Sequence, residues 1–170
     1  MKRGVRVIGI DPGYGRVGWG VIEGASQKWT HVAHGCIETK PNTPLIPRLS
    51  QIAKELQKII DKYEPDCSAV EDLFFYRNVT TAIQVGQARG VILLVLHQSK
   101  LPIDEFTPLQ IKQAVTGYGK ADKAQVQKMV QFMLELKEKP TPDDAADGLA
   151  AALACGTALM FKAKTRRVSK

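Results

Sequence analysis

The chain has 170 residues, of which 44% are hydrophobic and 24% charged, and its formal net charge is +7 at pH 7. These values are ordinary for one soluble globular domain and argue against disordered and fibrous chains. The apolar runs are too short to cross a membrane and the N-terminus lacks a signal-peptide pattern, so we expect a cytoplasmic protein with no membrane attachment.

The excess of basic residues lies mainly at the two ends of the chain. Residues 162–170 contain five Lys or Arg and no acid, and an interior cluster comprises Lys112, Lys120, Lys123 and Lys128. This distribution fits a polyanionic partner and fits a solubilising tail equally well. The three cysteines are scattered without a C-x-x-C pair, which is typical of reduced thiols in a cytosolic protein.

The first predicted element is a short buried strand in the sequence VRVIGIDPG, residues 5–13. Its β-branched residues favour a strand, and Pro12-Gly13 ends it in a turn, so Asp11 is the last strand residue. A carboxylate at the inner end of a buried strand is costly unless a cation or a hydrogen-bond donor meets it. Asp11 is therefore the first candidate site residue.

Residues 13–23 and 29–39 predict two further strands, which would form an antiparallel meander with the first. The glycines of the first turn suit plain hairpin chemistry, and they also suit a phosphate held by backbone N–H groups.

A helix is predicted over residues 44–63, followed by a short apolar strand, residues 68–70, that ends in Glu71. A helix between two strands predicts a parallel crossover. If the two strands are neighbours, Glu71 and Asp11 lie at the same end of the sheet.

The segment after Glu71 reads DLFFYRN, and its aromatic residues Phe74, Phe75 and Tyr76 directly precede the cation Arg77. Some of these rings could pack in the core and cover the start of the next helix. Alternatively, the segment forms a stacking surface for nucleic-acid bases beside a cationic side chain.

The next helix, over residues 79–98, has small residues in its first half and is apolar on every side in its second half. Such a helix is buried on more than one face. Either it is central in the monomer, or one of its sides meets a second subunit in a symmetric dimer.

A strand over residues 101–106, a short helix over 108–114, a glycine loop at 117–120 and an amphipathic helix over 122–136 follow. The lysines grouped around the glycine loop are Lys112, Lys120 and Lys123. They are either a solvated helix surface or contacts for the phosphates of a nucleic acid.

The last predicted helix has Thr141-Pro142 as its N-cap and first residue and continues as an alanine-rich segment over residues 145–159. Asp143 and Asp144 are explained by the preference for acids in the first turn. Asp147 has no such explanation. It shares a helix face with Asp144, three residues earlier.

Four acids could therefore meet at one place: Asp11, Glu71, Asp144 and Asp147. Oxygen ligands suit Mg²⁺ or Mn²⁺, and the histidines and cysteines show no zinc-site spacing. Four carboxylates cannot sit together unneutralised, whereas two divalent ions would neutralise them and could promote phosphodiester hydrolysis. The pattern indicates a metal-dependent nuclease as one hypothesis.

Several motifs occur in one order along the chain: GIDPG with its glycine hairpin, EDLFF, GQARG, IKQ, GYGKADKAQVQ and DAADGLA. Together they resemble the RuvC family of bacterial Holliday-junction resolvases, over about residues 5–160. The resemblance implies an α/β protein with an RNase H-like fold of the ribonuclease H/retroviral integrase superfamily, in which helices cover both faces of a mixed five-stranded sheet. It also implies a homodimer that makes Mg²⁺-dependent symmetric nicks at four-way DNA junctions, leaving 5′-phosphate and 3′-hydroxyl ends, and that works with the RuvA–RuvB branch-migration complex.

The family's four acidic positions match the acids named above, and its junction-contacting aromatic falls on Phe74. Its basic DNA contacts fall on Lys112 and Lys123, and the GQARG helix would form much of the dimer interface. The expected nuclease domain spans residues 1–161, with two Mg²⁺ per active site, replaceable by Mn²⁺. Residues 162–170 would form a flexible basic tail outside the resemblance.

One local departure from the family pattern is Asp143, which could replace Asp144 as a metal ligand if the helix register slips. The other functions considered are a shorter RuvC-like nuclease of RNA processing, an actin-like ATPase and a protein that binds junctions without cutting them. The EDLFF and DAAD motifs argue against the first, the chain length against the second and the four acids against the third.

Overall fold

The structure is a computed structural model that describes residues 3–25, 28–72 and 79–168. Its strands are β1 (Val5–Asp11), β2 (Arg16–Ala25), β3 (Lys28–Glu38), β4 (Cys67–Glu71) and β5 (Ile103–Phe106). Its helices are α1 (Leu45–Tyr63), α2 (Val79–Gln98), α3 (Pro108–Thr116), α4 (Lys123–Met133) and α5 (Asp143–Val168).

The strands form one mixed sheet in the order β3-β2-β1-β4-β5. β1 pairs antiparallel with β2 and parallel with β4, and β4 pairs parallel with β5. The antiparallel meander and the parallel crossover predicted from the sequence are both confirmed. β1 takes a central position because Val7, Ile8 and Ile10 are all fully buried and need cover on both faces.

Alternation along the strands divides the core into two layers. Ile8 and Ile10 of β1 and Val70 of β4 face α1 and α2. Val7 and Ala69 face the opposite layer, made of α3, α4 and α5. By the same alternation Asp11 and Glu71 point toward the layer that contains α5.

The long helix α5 packs almost backbone to backbone against β1 and β2. A Cβ built on Gly9 would lie 2.2 Å from the Ala152 nitrogen and 2.2 Å from the Gly148 oxygen. One built on Gly18 would lie 1.8 Å from the Asp144 carbonyl oxygen. Glycines on the strands and alanines on the helix therefore set the short distance between helix and sheet.

Length and composition alone would allow Asp143–Phe161 of α5 to cross a membrane, but 61% of its most apolar window is buried inside the fold. The helix is apolar because it fills the core between β1, β2 and the neighbouring helices, as expected in a soluble protein.

The predicted ends of α5 were wrong. The helix begins at Asp143, one residue after the predicted first residue Pro142, and it continues to Val168 instead of ending at Leu159. It continues because residues 157–168 contain neither Gly nor Pro. Most of the segment assigned to a basic tail is thus helical in its backbone, while the domain limit at residue 161 stays a prediction.

Candidate active site

Two carboxylates meet at the carboxyl ends of neighbouring parallel strands. Asp11 ends β1 and Glu71 ends β4, and the preceding residues Ile10 and Val70 are register partners. Because both side chains follow the alternation toward α5, they enter the same space above the sheet. The arrangement inferred from the crossover rule is therefore present.

Helix α5 adds Asp147 to this space. A cleft of about 310 Å³ is lined by three carboxylates, two lysines and four apolar or small residues: Asp11, Glu71, Asp147, Lys112, Lys123, Pro108, Ile111, Val126 and Ala150. Asp144 is absent from this lining, although its negative charge still acts on Asp11.

The carboxyl groups that line the cleft have raised pKa values. Burial, followed by the charges of Glu71, Asp147 and Asp144, raises the pKa of Asp11 to about 8. Burial and then Asp147 raise the pKa of Glu71 to about 7. Burial also raises the pKa of Asp147, against the opposing effect of Lys123. Such a set of hard oxygen donors suits a divalent cation, which would favour the charged form of each.

Two protein cations partly neutralise the cluster. The Lys123 Nζ lies 3.0 Å from the Asp147 Oδ2, and the Arg16 Nε lies 3.4 Å from the Asp144 Oδ2. With the carboxylates held in this way, no three Asp, Glu, His or Cys side chains in the described part of the chain are close enough to hold one metal ion. Binding of a cation between the acids therefore requires side-chain rotations.

Asp143 lies outside the cleft lining, on the side of α4, although its Oδ2 is 4.0 Å from the Lys123 Nζ. It is exposed, it lies 3.5 Å from the Lys139 Nζ, and the Gln127 side chain and Lys139 hold its pKa below the usual value. Asp144, by contrast, is within electrostatic reach of Asp11. The geometry therefore favours Asp144 over Asp143 as the partner of Asp11.

The predicted DNA-contacting residues fall into three groups. Lys112 and Lys123 line the cleft. Lys120 is exposed in the turn between α3 and α4, outside the cleft lining. Phe74, Phe75 and Arg77 lie outside the described residues.

Sequence reasoning missed two arginines near the acids. Arg16 begins β2 and pairs with Asp144 and Glu38, and its position directly after the glycine turn could have indicated a place beside Asp11. Arg89 of α2 pairs with Glu105 and, at 3.2 Å, with Asp72, the residue next to Glu71. The hydrophobic pattern of α2 gave no signal for this contact.

Without divalent cations, we expect the free energy of unfolding to fall as the pH rises from about 5 to about 8. The folded protein keeps protons on Asp11 and Glu71 that the unfolded chain releases near pH 4, so raising the pH through the folded pKa values favours unfolding. Asp11→Asn should remove about 4 kcal/mol of this loss, since each pH unit over which only the folded state keeps the proton is equivalent to about 1.4 kcal/mol. Denaturant unfolding in EDTA at about pH 5 and about pH 8 measures the free energy of unfolding of the wild type and the variant.

Asp61→Asn on the exposed surface of α1 is the matched control and should keep the wild-type pH dependence. An equal pH dependence in Asp11→Asn and wild-type protein would show that the charge of Asp11 does not oppose folding.

The chain is similar to proteins of one known family. Residues 7–155 match the family model described as crossover junction endodeoxyribonuclease RuvC. Proteins of that name from Petrotoga mobilis and Thermosipho melanesiensis are each 53% identical to the chain. The first match covers 88% of this chain and 92% of the relative, and the second 87% and 94%.

Solved structures of Thermus thermophilus RuvC have the same fold. A complex described as T. thermophilus RuvC with a Holliday junction substrate superposes with a TM-score of 0.87 at 34% identity, covering 93% of this chain and 96% of that one. The structure described as Thermus thermophilus RuvC gives 0.85 at 35% identity, covering 93% and 97%. The predicted RNase H-like fold is thereby confirmed, and the chain belongs to the RuvC family of crossover junction endodeoxyribonucleases, the Holliday-junction resolvases.

Proposed function

We propose that the carboxylate cleft is the cleavage centre of this resolvase, with Asp11, Glu71, Asp144 and Asp147 as its metal ligands. The observation that carries the proposal is the meeting of Asp11, Glu71 and Asp147 in one cleft, on elements far apart in sequence. The raised pKa values of Asp11 and Glu71 support it, because burial and then the neighbouring acids disfavour their charged forms, and a bound cation would offset both effects.

Two Mg²⁺ ions, replaceable by Mn²⁺, would activate a water molecule and stabilise the leaving oxygen of the scissile phosphodiester. Asp11 would contribute to both ions, because the charges of Glu71, Asp147 and Asp144 all act on it. Glu71 and Asp144 would each hold one ion, and Asp147 would complete the set or orient the water. The products would carry 5′-phosphate and 3′-hydroxyl ends.

Lys112 and Lys123 would bind phosphates of the DNA near the cut; the proposal is supported by their position in the lining of the same cleft as the acids. Lys123 also pairs with Asp147, so it can neutralise this acid until a cation arrives. Lys120, in the adjoining turn, would extend the contact to a neighbouring phosphate. Phe74, Phe75 and Arg77 remain proposed junction contacts from their sequence alone.

The test of the function uses a synthetic four-way junction and a linear duplex of the same sequence, each incubated with Mg²⁺. We expect paired, symmetric nicks in two opposed strands of the junction and an uncut duplex. Ligation of the nicked strands would verify the 5′-phosphate and 3′-hydroxyl ends. An uncut junction with both Mg²⁺ and Mn²⁺, in spite of tight binding, would favour a protein that only binds junctions.

Symmetric cleavage needs two active sites, and helix α2 offers a surface for a second copy. Ile83 is 59% exposed and Leu94 is 54% exposed. They lie three helical turns apart on one face. Between them, a Cβ built on Gly86 or Gly90 would meet nothing within 4 Å. A face with exposed apolar side chains and two glycines suits close packing against its own symmetry mate, and we propose a homodimer through it.

We expect Leu94→Glu to convert the dimer to a monomer, because the charge would be buried in an apolar interface. Paired nicking should then be replaced by slow single nicks. Ile46→Glu is the control, since Ile46 is an exposed apolar residue (72%) on a different helix, α1. Sedimentation measures the oligomeric state of both variants, and a junction assay measures their nicking. A Leu94→Glu protein that stays dimeric would show that the interface lies elsewhere.

The cellular setting is proposed from the family alone. A resolvase that acts on chromosomal junctions would be cytoplasmic and would cooperate with the RuvA–RuvB complex. Co-migration of the chain with RuvA-bound junctions on a native gel would test this partner.

A further inference from the structure

A pair of histidines on the edge strand β3 takes no part in the proposed cleavage centre. The Nε2 of His31 and the Nδ1 of His34 lie 2.7 Å apart, and the two ring centroids lie 4.9 Å apart. Both residues are half-buried. β3 is separated from β1 and its Asp11 by the whole of β2.

An irregularity in the sheet brings the two rings together. Residues three apart on a regular strand point to opposite faces. Here Ala33 pairs with Val21 and His31 with Ile22, so Val32 is an extra residue, a β-bulge. The bulge turns His31 to the face on which His34 lies, the face that α5 covers.

The two rings are in the form that binds metals. Burial lowers the pKa of His34, and burial together with His34 lowers the pKa of His31. The 2.7 Å contact is a hydrogen bond in which one facing nitrogen donates its proton and the other accepts it, so the accepting ring is neutral. If the donor ring moves that proton to its outer nitrogen, both facing nitrogens present lone pairs, and no proton is lost overall.

The spacing of the nitrogens suits two adjacent positions on one ion. Metal–imidazole bonds of about 2.1 Å place ligands at right angles about 3 Å apart. The nitrogens, now 2.7 Å apart, would separate slightly, and both rings would turn so that their lone pairs point at the ion and not at each other. Tetragonal geometry with nitrogen ligands is characteristic of Ni²⁺ and Cu²⁺.

We propose that His31 and His34 form an open binding site for a divalent transition-metal ion, Ni²⁺ or Cu²⁺, separate from the carboxylate cleft. The described residues supply no third ligand close enough to complete a closed site, so water or an external ligand would fill the remaining positions. Mg²⁺ would not compete, since it prefers oxygen ligands. The chain would thus bind two classes of metal ion at two separate sites.

The test is a calorimetric titration of untagged, full-length protein with NiCl₂ in a large excess of MgCl₂, which occupies the carboxylates. We expect one Ni²⁺ per chain, and binding at least about tenfold weaker in His31→Asn and in His34→Asn. His97→Asn is the matched control, because His97 is an exposed histidine on α2. It should bind Ni²⁺ like the wild type.

Wild-type affinity in the His31→Asn/His34→Asn double variant would overturn the proposal, as would the absence of Ni²⁺ binding by the wild type. If the variants do not fold, electron paramagnetic resonance of Cu²⁺ bound to the wild type decides. Hyperfine coupling to two imidazole nitrogens supports the site, and coupling to none overturns it. Failure of either test leaves junction cleavage by the carboxylate cleft unaffected.

Discussion

Replacing Asp11 by Asn should lower the rate of junction cleavage by about 10³-fold or more, or on the order of 4 kcal/mol in the activation barrier. The amide keeps the size of the side chain but removes the charge that a metal ligand needs. The negative charges of the other three acids all act on Asp11, so Asp11 lies at the centre of the cluster. No neighbouring side chain can take its place there. Single-turnover cleavage in Mg²⁺ measures the effect.

Junction binding should survive this change. Removing a negative charge beside Lys112 and Lys123 weakens no phosphate contact, so the Kd should stay equal or improve. Tight binding without cutting would therefore separate a catalytic role from a structural one. The matched control is Asp61→Asn, which removes an exposed carboxylate on α1 that accepts a hydrogen bond from Gln57. If Asp11→Asn cuts like the control, the cleft is not the cleavage centre.

Asp11 and Glu71 could be predicted from the sequence because their positions follow from local rules. Each ends a short apolar strand, and a helix between two strands favours a parallel crossover. The alternation of side chains then decides which face each carboxylate takes. These rules act over a few residues, so a single sequence is enough to apply them.

The contacts that basic side chains make with the acids could not be predicted in the same way. Lys123 pairs with Asp147 and Arg16 with Asp144 because α4, α5 and β2 converge at one point, and this depends on how whole elements pack. The His31–His34 pair depends on a single extra residue in β3. Hydrophobic periodicity carries no information about either, and a one-residue bulge changes the face of every residue that follows it.

The same limit explains the error at α5. Its interior was predicted from alanine content and from the spacing of Asp144 and Asp147, but its C-terminal end has no stop signal before Val168. Intrinsic preference alone then extends the helix, whereas the family motifs end near residue 160. Where the folded domain ends and where a helix ends are separate questions, and only the second can be answered from local preference.

The close packing of α5 gives the second large prediction: Gly9→Ala should destabilise the protein by about 3 kcal/mol or more and impair cleavage. The added Cβ would overlap the Ala152 nitrogen and the Gly148 oxygen, both of which are backbone atoms. Backbone cannot rotate aside as a side chain can, so the helix must move away from the sheet. Asp147 moves with it, while Asp11, two residues beyond Gly9 on the same strand face, stays.

Gly15→Ala is the control for this change, because the new Cβ would approach only the flexible end of Arg48, at 3.3 Å. It should melt near the wild-type temperature, whereas Gly9→Ala should melt about 6 °C lower or more. If the Gly9→Ala protein folds, the Mg²⁺ concentration needed for half-maximal cleavage should rise, since the carboxylates of β1 and α5 are farther apart. Wild-type melting and cleavage in Gly9→Ala would mean that the helix-to-sheet distance does not set the geometry of the acids. The proposed catalytic centre would depend on this distance, because two of its four acids are on the helix and two on the sheet.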